Sequence, residues 1–178
     1  MHEAPELLHS TTVFTGAVFD VVEERIRLAT GHIRRFALIR HPGAAVILPR
    51  QDDGTLFVIQ QYRHALRKTL LEFPAGTLES GETPLACAQR EIAEEIGYAA
   101  RQWEDLGQLY PAPGFCNEVQ YCFFATDLTP CVAQADEDEL IEVVSMSSTQ
   151  IAQAIQTGEM MDGKSIALYT RAHLRGLV

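Results

Sequence analysis

The segment AGTLESGETPLACAQREIAEEIGY, residues 75–98, sets an acidic helix behind a glycine-punctuated loop and carries five of the chain's 24 acidic residues. Thr83-Pro84 reads as the helix start, because a threonine side chain can accept from the unpaired N–H groups of the first turn and proline's fixed φ suits that turn. Leu85, Ala88, Ile92 and Ile96 then recur at helical spacing as an apolar stripe. Gly97 can adopt the left-handed conformation that closes a helix. Glu91 and Glu95 are four residues apart and so share one face, with Glu94 flanking them. Like charges at that spacing destabilise an isolated helix by about a few tenths of a kcal/mol per pair. Arg90 supplies one compensating charge, but three clustered carboxylates call for more, and a divalent cation is the natural candidate. Magnesium takes carboxylate oxygens, keeps several waters and is commonly shared with substrate phosphates. Taken alone, EIAEE would read as an ordinary solvated face.

Outward from this segment, the upstream pattern is that of strands. Residues 12 to 40 read as strands: within them GAVFDVVEERIRLATGHIRRFALIR, residues 16–40, alternates apolar and charged residues, with a turn around Gly31, which suggests a small antiparallel sheet with one wet face. His41-Pro42-Gly43 breaks that pattern and marks the expected boundary between an N-terminal sheet, residues 1–43, and a main domain, residues 44–178. AAVILP and LFVIQQY read as short apolar strands joined by the turn QDDG. Downstream, WEDLGQLY and VQYCFFATDL read as strands separated by the loop PAPGF, and LIEVVSM as another. Ser148 or Thr149 is expected to cap a short helix to Gln156, and residues 164 to 176 suit a last amphipathic helix. Strands alternating with a few helices imply a mixed α/β (α+β) layer fold.

Composition narrows the function. A chain of 178 residues with 47% apolar content suits one compact domain, or one with a small appendage. No run approaches eighteen apolar residues, and MHEAPELLHS lacks the basic end and apolar core of a signal peptide, so a cytoplasmic protein that does not span a membrane is expected. Cys87, Cys116, Cys122 and Cys131 lack CxxC spacing and read as free thiols in a reducing compartment. The net charge of −10 argues against a nucleic-acid partner but not against a small phosphate-bearing substrate reached through metal cations. The six histidines are scattered, with no Ser-His or Cys-His constellation for nucleophilic catalysis.

The longer spacing is more specific. Gly76, five residues, Glu82, seven residues, then Arg90-Glu91-Ile92-x-Glu94-Glu95-x-Gly97 resembles the signature of the Nudix hydrolases. From average residue usage, a chance match is on the order of one in ten million, which sets coincidence aside. The departure is Tyr98, where the motif asks for a bulky aliphatic residue. The resemblance implies the Nudix fold, a mixed β-sheet sandwiched between helices, and hydrolysis of a nucleoside diphosphate linked to another moiety. It implies Glu91 and Glu95 as magnesium (or manganese) ligands, Glu94 as a further ligand with a catalytic share, and the Ala75 carbonyl as another ligand. It also implies Glu82 supporting the ions through water and Arg90 orienting the glutamates. Divalent ions suit such a reaction because they neutralise pyrophosphate charge and activate water.

Over nearly its full length the chain resembles the ADP-ribose pyrophosphatase branch of that family. RHPGAAVILP, VIQQYRHAL and LEFPAGTLESGE enter the motif as in that branch; LYPAPGFCNE places Pro113 where the branch has a marker proline; DEDELIEVV supplies a late acidic loop before a strand. The resemblance implies Glu137, with Glu139 second, as the residue activating water, although DEDE alone would read as a solvated turn. It implies Arg63 as a phosphate or adenosine contact, Glu118 as an extra metal or ribose contact, and the loop at Gly114 as part of the substrate site. It further implies a homodimer in which the N-terminal sheet is exchanged and helps build the partner's nucleotide site. There Arg35 matches a branch arginine, with Val18 or Phe19 packing on the base; both read equally as sheet core or dimer interface. The branch often has glutamate two residues after that arginine, where this chain has Ala37. ADP-ribose is the first substrate expected, with GDP-mannose or ADP-glucose as rivals. A non-catalytic ADP-ribose-binding module would lose motif glutamates that this chain keeps.

Overall fold

A computed structural model describes residues 4–132 and 140–178. The described chain forms two compact units: residues 4–43 with Tyr110–Val119, and Ala44–Leu109 with the described part of Gln120–Val178.

The first unit is an antiparallel sheet in the order β1-β2-β3, built from β1 (Glu6–Thr15), β2 (Asp20–Arg27) and β3 (Ile33–Arg40). The turn between β2 and β3 places Gly31 at φ +83°, where a side chain would be strained. The segment after Leu109 is tied to β3: Ile39 N–H donates to the Phe115 carbonyl (2.7 Å), and Asn117 N–H donates to the Ile39 carbonyl (3.1 Å). The alternating pattern predicted one wet face. Instead β1 is exposed along nearly its whole length, and Val22 is the one fully buried side chain of the three strands. Among the described residues no helix belongs to this unit, so Leu7, Val13, Phe14 and Ile33 have no helical layer of their own to pack on.

The second unit holds two sheets and three helices among the described residues. One sheet runs β10-β5-β6, from β10 (Ile141–Met146), β5 (Leu56–Arg63) and β6 (Lys68–Glu72); it is antiparallel. The other runs β7-β4-β9-β8, from β7 (Ala75–Thr77), β4 (Ala44–Pro49), β9 (Gln120–Pro130) and β8 (Tyr98–Leu109); within it β4 and β9 are parallel. β4 is buried throughout, as a central strand covered on both faces must be. Its alternate residues divide the core. Val46 and Leu48 face a cluster with Leu56, Val58, Phe73, Ile151 and Leu168, which brings in α2 (Ser148–Thr157) and α3 (Gly163–Leu174). Ala45 and Ile47 face the opposite cluster with Phe57, Ile59, Ala88, Ile92 and Ile96, which brings in α1 (Pro84–Ile96). The mixed layer fold expected from the sequence is therefore present.

Helix α1 begins as predicted: Thr83 accepts from Ala86 N–H (3.2 Å), Pro84 opens the helix and Gly97 closes it at φ +72°. Leu85, however, is exposed, and Cys87 is buried instead. At about 100° per residue, Cys87, Glu91, Glu95, Ala88, Ile92 and Ile96 sweep one continuous buried arc of about 180°. On the same count Leu85 falls between Ile92 and Ile96, yet it sits in the first turn and is exposed. The cap of α2 is Ser147, not Ser148 or Thr149, because Gln150 completes a capping box with it.

Candidate active site

The site grows from strand β7 and the arc of α1 that it faces. β7 pairs with β4 through Ala45↔Gly76 and Val46↔Ala75, so the first motif glycine is held inside a sheet. Ala75 N–H donates to Glu95 Oε2 (2.9 Å). A side chain at Gly76 would put its Cβ 1.7 Å from Glu91 Oε1, so glycine is required because the Glu91 carboxylate occupies that space. Two residues of β7, Ala75 and Gly76, thus accommodate two carboxylates one helical turn apart, both almost fully buried. The sequence pattern set these glutamates beside the core; the structure counts them as part of its edge.

Arg90 gathers the remaining carboxylates. Its Nε donates to Glu82 Oε1 (3.0 Å) and its Nη2 to Glu82 Oε2 (3.1 Å) and the Thr77 carbonyl (3.2 Å). Its Nη1 donates to Glu91 Oε1 (2.7 Å) and Glu94 Oε2 (2.9 Å). Glu82 also accepts from Glu79 N–H (2.9 Å), which closes the loop before the helix. The Arg90 hydrogen bonds hold the Glu82 carboxyl below its usual range, and Glu82 in turn raises the Arg90 guanidinium. Burial, together with the charges of Glu91 and Glu82, pushes the Cys87 thiol up to about 12, so it stays protonated under the site.

Glu82, Glu91 and Glu94 surround the one guanidinium of the motif, and Glu95, held by the Ala75 N–H, adds a fourth carboxylate on the same helix as Glu91 and Glu94. That donor set is hard oxygen with excess negative charge, which fits magnesium or manganese and does not suit a softer metal. Among the described residues no three His, Cys, Asp or Glu side chains form a ready-made cage. Magnesium is commonly held by one or two carboxylates with water and substrate phosphates completing its shell. Glu91 and Glu95 can supply that pair, with the adjoining backbone of Ala75.

Arg63, at the end of β5, does not contact the motif glutamates directly. It forms a two-pronged pair with Glu72, Nε to Oε1 (2.8 Å) and Nη2 to Oε2 (2.6 Å). Glu72 is fully buried, and Lys164 on α3 also donates to its Oε2. Lys164 donates further to Asp162 Oδ2 (2.9 Å), the residue that caps α3 by accepting from Ser165 N–H (2.9 Å). Sequence reasoning missed Glu72, Asp162 and Lys164. The available signal was a lone acidic residue within the apolar run LLEFP.

The first unit holds the other expected residues. Arg35 donates to Glu23 (2.5 Å), and the strand register sets Glu23 directly opposite Ala37. A carboxylate therefore stands across the strand from the position where the expected glutamate is missing. Val18 and Phe19 are exposed, so neither is sheet core; with Asp20, Arg40 and His41 they line a hollow of about 310 Å³. Gly114 lies in open space, and Glu118 is half-buried with its N–H donating to Cys116 Sγ (3.4 Å). Glu137 and Glu139 fall outside the described residues.

Comparison with known proteins bears on this arrangement. The NUDIX domain family matches residues 39–168. The chain is 34% identical to the ADP-ribose pyrophosphatase of Bacillus subtilis (strain 168), over 86% of its own length and 84% of that protein's. It is also 34% identical to the GDP-mannose pyrophosphatase of Citrobacter koseri, over 78% of this chain and 77% of that one. A crystal structure of an ADP compounds hydrolase superposes with a TM-score of 0.87 at 22% identity, covering 100% of this chain and 99% of that one. The glycine seated against a buried glutamate, the arginine fan and the matched family agree: the chain belongs to the Nudix family.

Proposed function

We propose that the protein is a magnesium-dependent ADP-ribose pyrophosphatase that hydrolyses ADP-ribose to AMP and ribose 5-phosphate as a cytoplasmic homodimer. The observation that carries the reading is the buried Glu91 and Glu95 pair held by β7 within a Nudix match, in a chain 34% identical to an ADP-ribose pyrophosphatase. Divalent ions held by Glu91 and Glu95, with Glu94 and the Ala75 carbonyl, would neutralise pyrophosphate charge and activate the attacking water. Manganese is the alternative ion.

The chain's own residues do the rest. Arg90 fixes the orientation of Glu82, Glu91 and Glu94, so the carboxylates need little rearrangement when substrate arrives. Arg63 binds a phosphate oxygen. Glu137, with Glu139 as second choice, takes the proton from water as the bond to phosphorus forms and the bridging oxygen leaves. Arg35, Val18 and Phe19, with Glu118 and the Gly114 loop, contribute to nucleotide binding, partly across the dimer. The exposed Leu7, Val13 and Phe14 of β1 support an exchanged N-terminal sheet.

A second reading keeps the chemistry and changes the sugar or base, as in GDP-mannose. The absence of the branch glutamate at Ala37 and the 34% identity to a GDP-mannose pyrophosphatase favour it. Release of phosphate-ester products from a nucleotide-sugar panel with magnesium tests both, with wild type compared against Glu95→Gln. Cleavage of ADP-ribose that the substitution abolishes supports the first reading, and preference for GDP-mannose supports the second. Binding of ADP-ribose without cleavage of any panel member would overturn the assignment as an enzyme.

A further inference from the structure

The charged cluster on β5, β6 and α3 invites a different use from the motif glutamates. Glu72 is 1% exposed, yet it carries two cations, Arg63 and Lys164. Burying a carboxylate is costly unless it is paired and hydrogen-bonded, and a single arginine in two-pronged contact would meet that need. The second cation is therefore surplus to the burial of Glu72. Its effect falls on Arg63. A guanidinium whose only neighbour is a carboxylate forms a near-neutral pair that attracts phosphate weakly. With Lys164 drawing on the same oxygen, less of the Glu72 charge is spent on Arg63. Asp162 does not reverse this, because its Oδ2 also accepts from Ser165 N–H and Oγ (2.9 and 2.6 Å) at the positive end of α3.

The geometry agrees. Glu72 engages Nε and Nη2 of Arg63, while Nη1 makes no hydrogen bond among the described residues. The Arg63 side chain is 37% exposed and lies within electrostatic reach of Glu95. The fork fixes the guanidinium plane, and its unused edge remains available. Ser165 Oγ also accepts from Phe73 N–H (2.7 Å), so the first turn of α3 is fastened to the residue beside Glu72, two positions before Ala75.

We propose that Glu72 and Lys164 are positioning residues for pyrophosphate binding: Glu72 aims the free edge of Arg63 at a phosphate oxygen, and Lys164 keeps that edge cationic. The proposal rests on the reading of the substrate as a pyrophosphate ester. Phosphate charge is present before and during the reaction, so the loss should appear as uniform binding, in KM and not in kcat.

The test is steady-state kinetics on ADP-ribose and GDP-mannose with Lys164→Met, Lys164→Arg, Arg63→Met and the double variant Arg63→Met/Lys164→Met. Lys164→Met is expected to raise KM about tenfold with kcat within about twofold, and Lys164→Arg to restore KM. The double variant should have the KM of Arg63→Met, since Lys164 acts through Arg63. A lowered melting temperature with unchanged KM, or additive effects in the double variant, would overturn the proposal by showing a purely structural staple. Should Lys164→Met not fold, Glu72→Gln is read in the same way, and if neither folds the binding role is rejected. If wild type cleaves neither substrate, the functional reading fails separately. Calorimetric binding of inorganic pyrophosphate with magnesium then decides: affinity about tenfold weaker in Lys164→Met supports the positioning role, and equal affinity, or no binding to wild type, overturns it.

Discussion

Replacing Gly76 by alanine should separate the fold from the site. The new Cβ would stand 1.7 Å from Glu91 Oε1, whereas ordinary contact begins at 3.4 Å, so the carboxylate must retreat by at least the difference, 1.7 Å. Gly76 does not have a positive φ, so the backbone itself accepts alanine. The obstructing atoms are the end of a flexible side chain, which can swing away. Losing the Arg90–Glu91 bond costs about 1.5–3 kcal/mol, and restricting the unfolded chain returns about 0.4–1 kcal/mol. The net is at most about 2–3 kcal/mol, a fall in Tm of roughly 4–10 °C for a chain of this size. Catalysis should suffer far more, because a displacement of about 1 Å can cost about a hundredfold. Hydrolysis kinetics and thermal unfolding, measured side by side, should show kcat/KM reduced by about 10² to 10³ in a folded protein. Activity within about threefold of wild type would refute the reasoning that the Glu91 carboxylate must occupy that space. A collapse of Tm by more than about 15 °C would show that the clash falls on the fold and not on the carboxylate.

Three further outcomes follow from the same geometry. Burial pushes the Cys87 and Cys122 thiols up to about 12 and about 11, so iodoacetamide at pH 8 should modify only Cys116 and Cys131 in the native protein, and all four thiols once it is denatured; native labelling of Cys87, read by mass spectrometry, would contradict its placement. Burial alone would raise the Glu72 carboxyl, but Arg63 and Lys164 outweigh it and hold the group below its ordinary value, so its stabilisation is present above the unfolded carboxyl's titration and is lost as pH falls through the folded one. Urea unfolding of Glu72→Gln should therefore give lower stability than wild type at pH 7 and a shallower decline below about pH 4; parallel acid limbs would count against the ion pairs. Ser147→Ala removes the capping box of α2 and should cost about 1 kcal/mol, seen as a Tm lower by about 2–4 °C, whereas Ser148→Ala should spare the cap.

The parts of this molecule that were legible in its sequence are those specified locally. Thr83, Pro84 and Gly97 bound α1 because caps are read from adjacent residues, and the spacing of Glu91, Glu94 and Glu95 is fixed by the helix alone. β6 and β7 were not legible. KTLLE and AGT are too short to show a period, and they are strands only through pairing with β5 and β4. Three hydroxyl residues in a row at 147–149 gave several candidate caps, and the reach of Gln150 back to the Ser147 N–H selects among them. The carboxylate of Glu23 opposite Ala37 was hidden because cross-strand register is not written in residue spacing. The contact of Glu72 with Lys164 spans 92 positions, beyond any local pattern.

That fastening of α3 to the strand before the motif also orders events in time. A ribosome delivers the chain from its N-terminus, so residues 73–98 exist long before Ser165 and Lys164 emerge. Until then the Phe73 N–H lacks the acceptor that holds it, and Glu72 has Arg63 but not Lys164 as a partner. A nascent chain can therefore carry the complete acidic motif and still be unable to seal the strand that feeds it. Completion of α3 is what fastens that strand. Products of premature termination ahead of Lys164 would leave this seam open to water and to proteases.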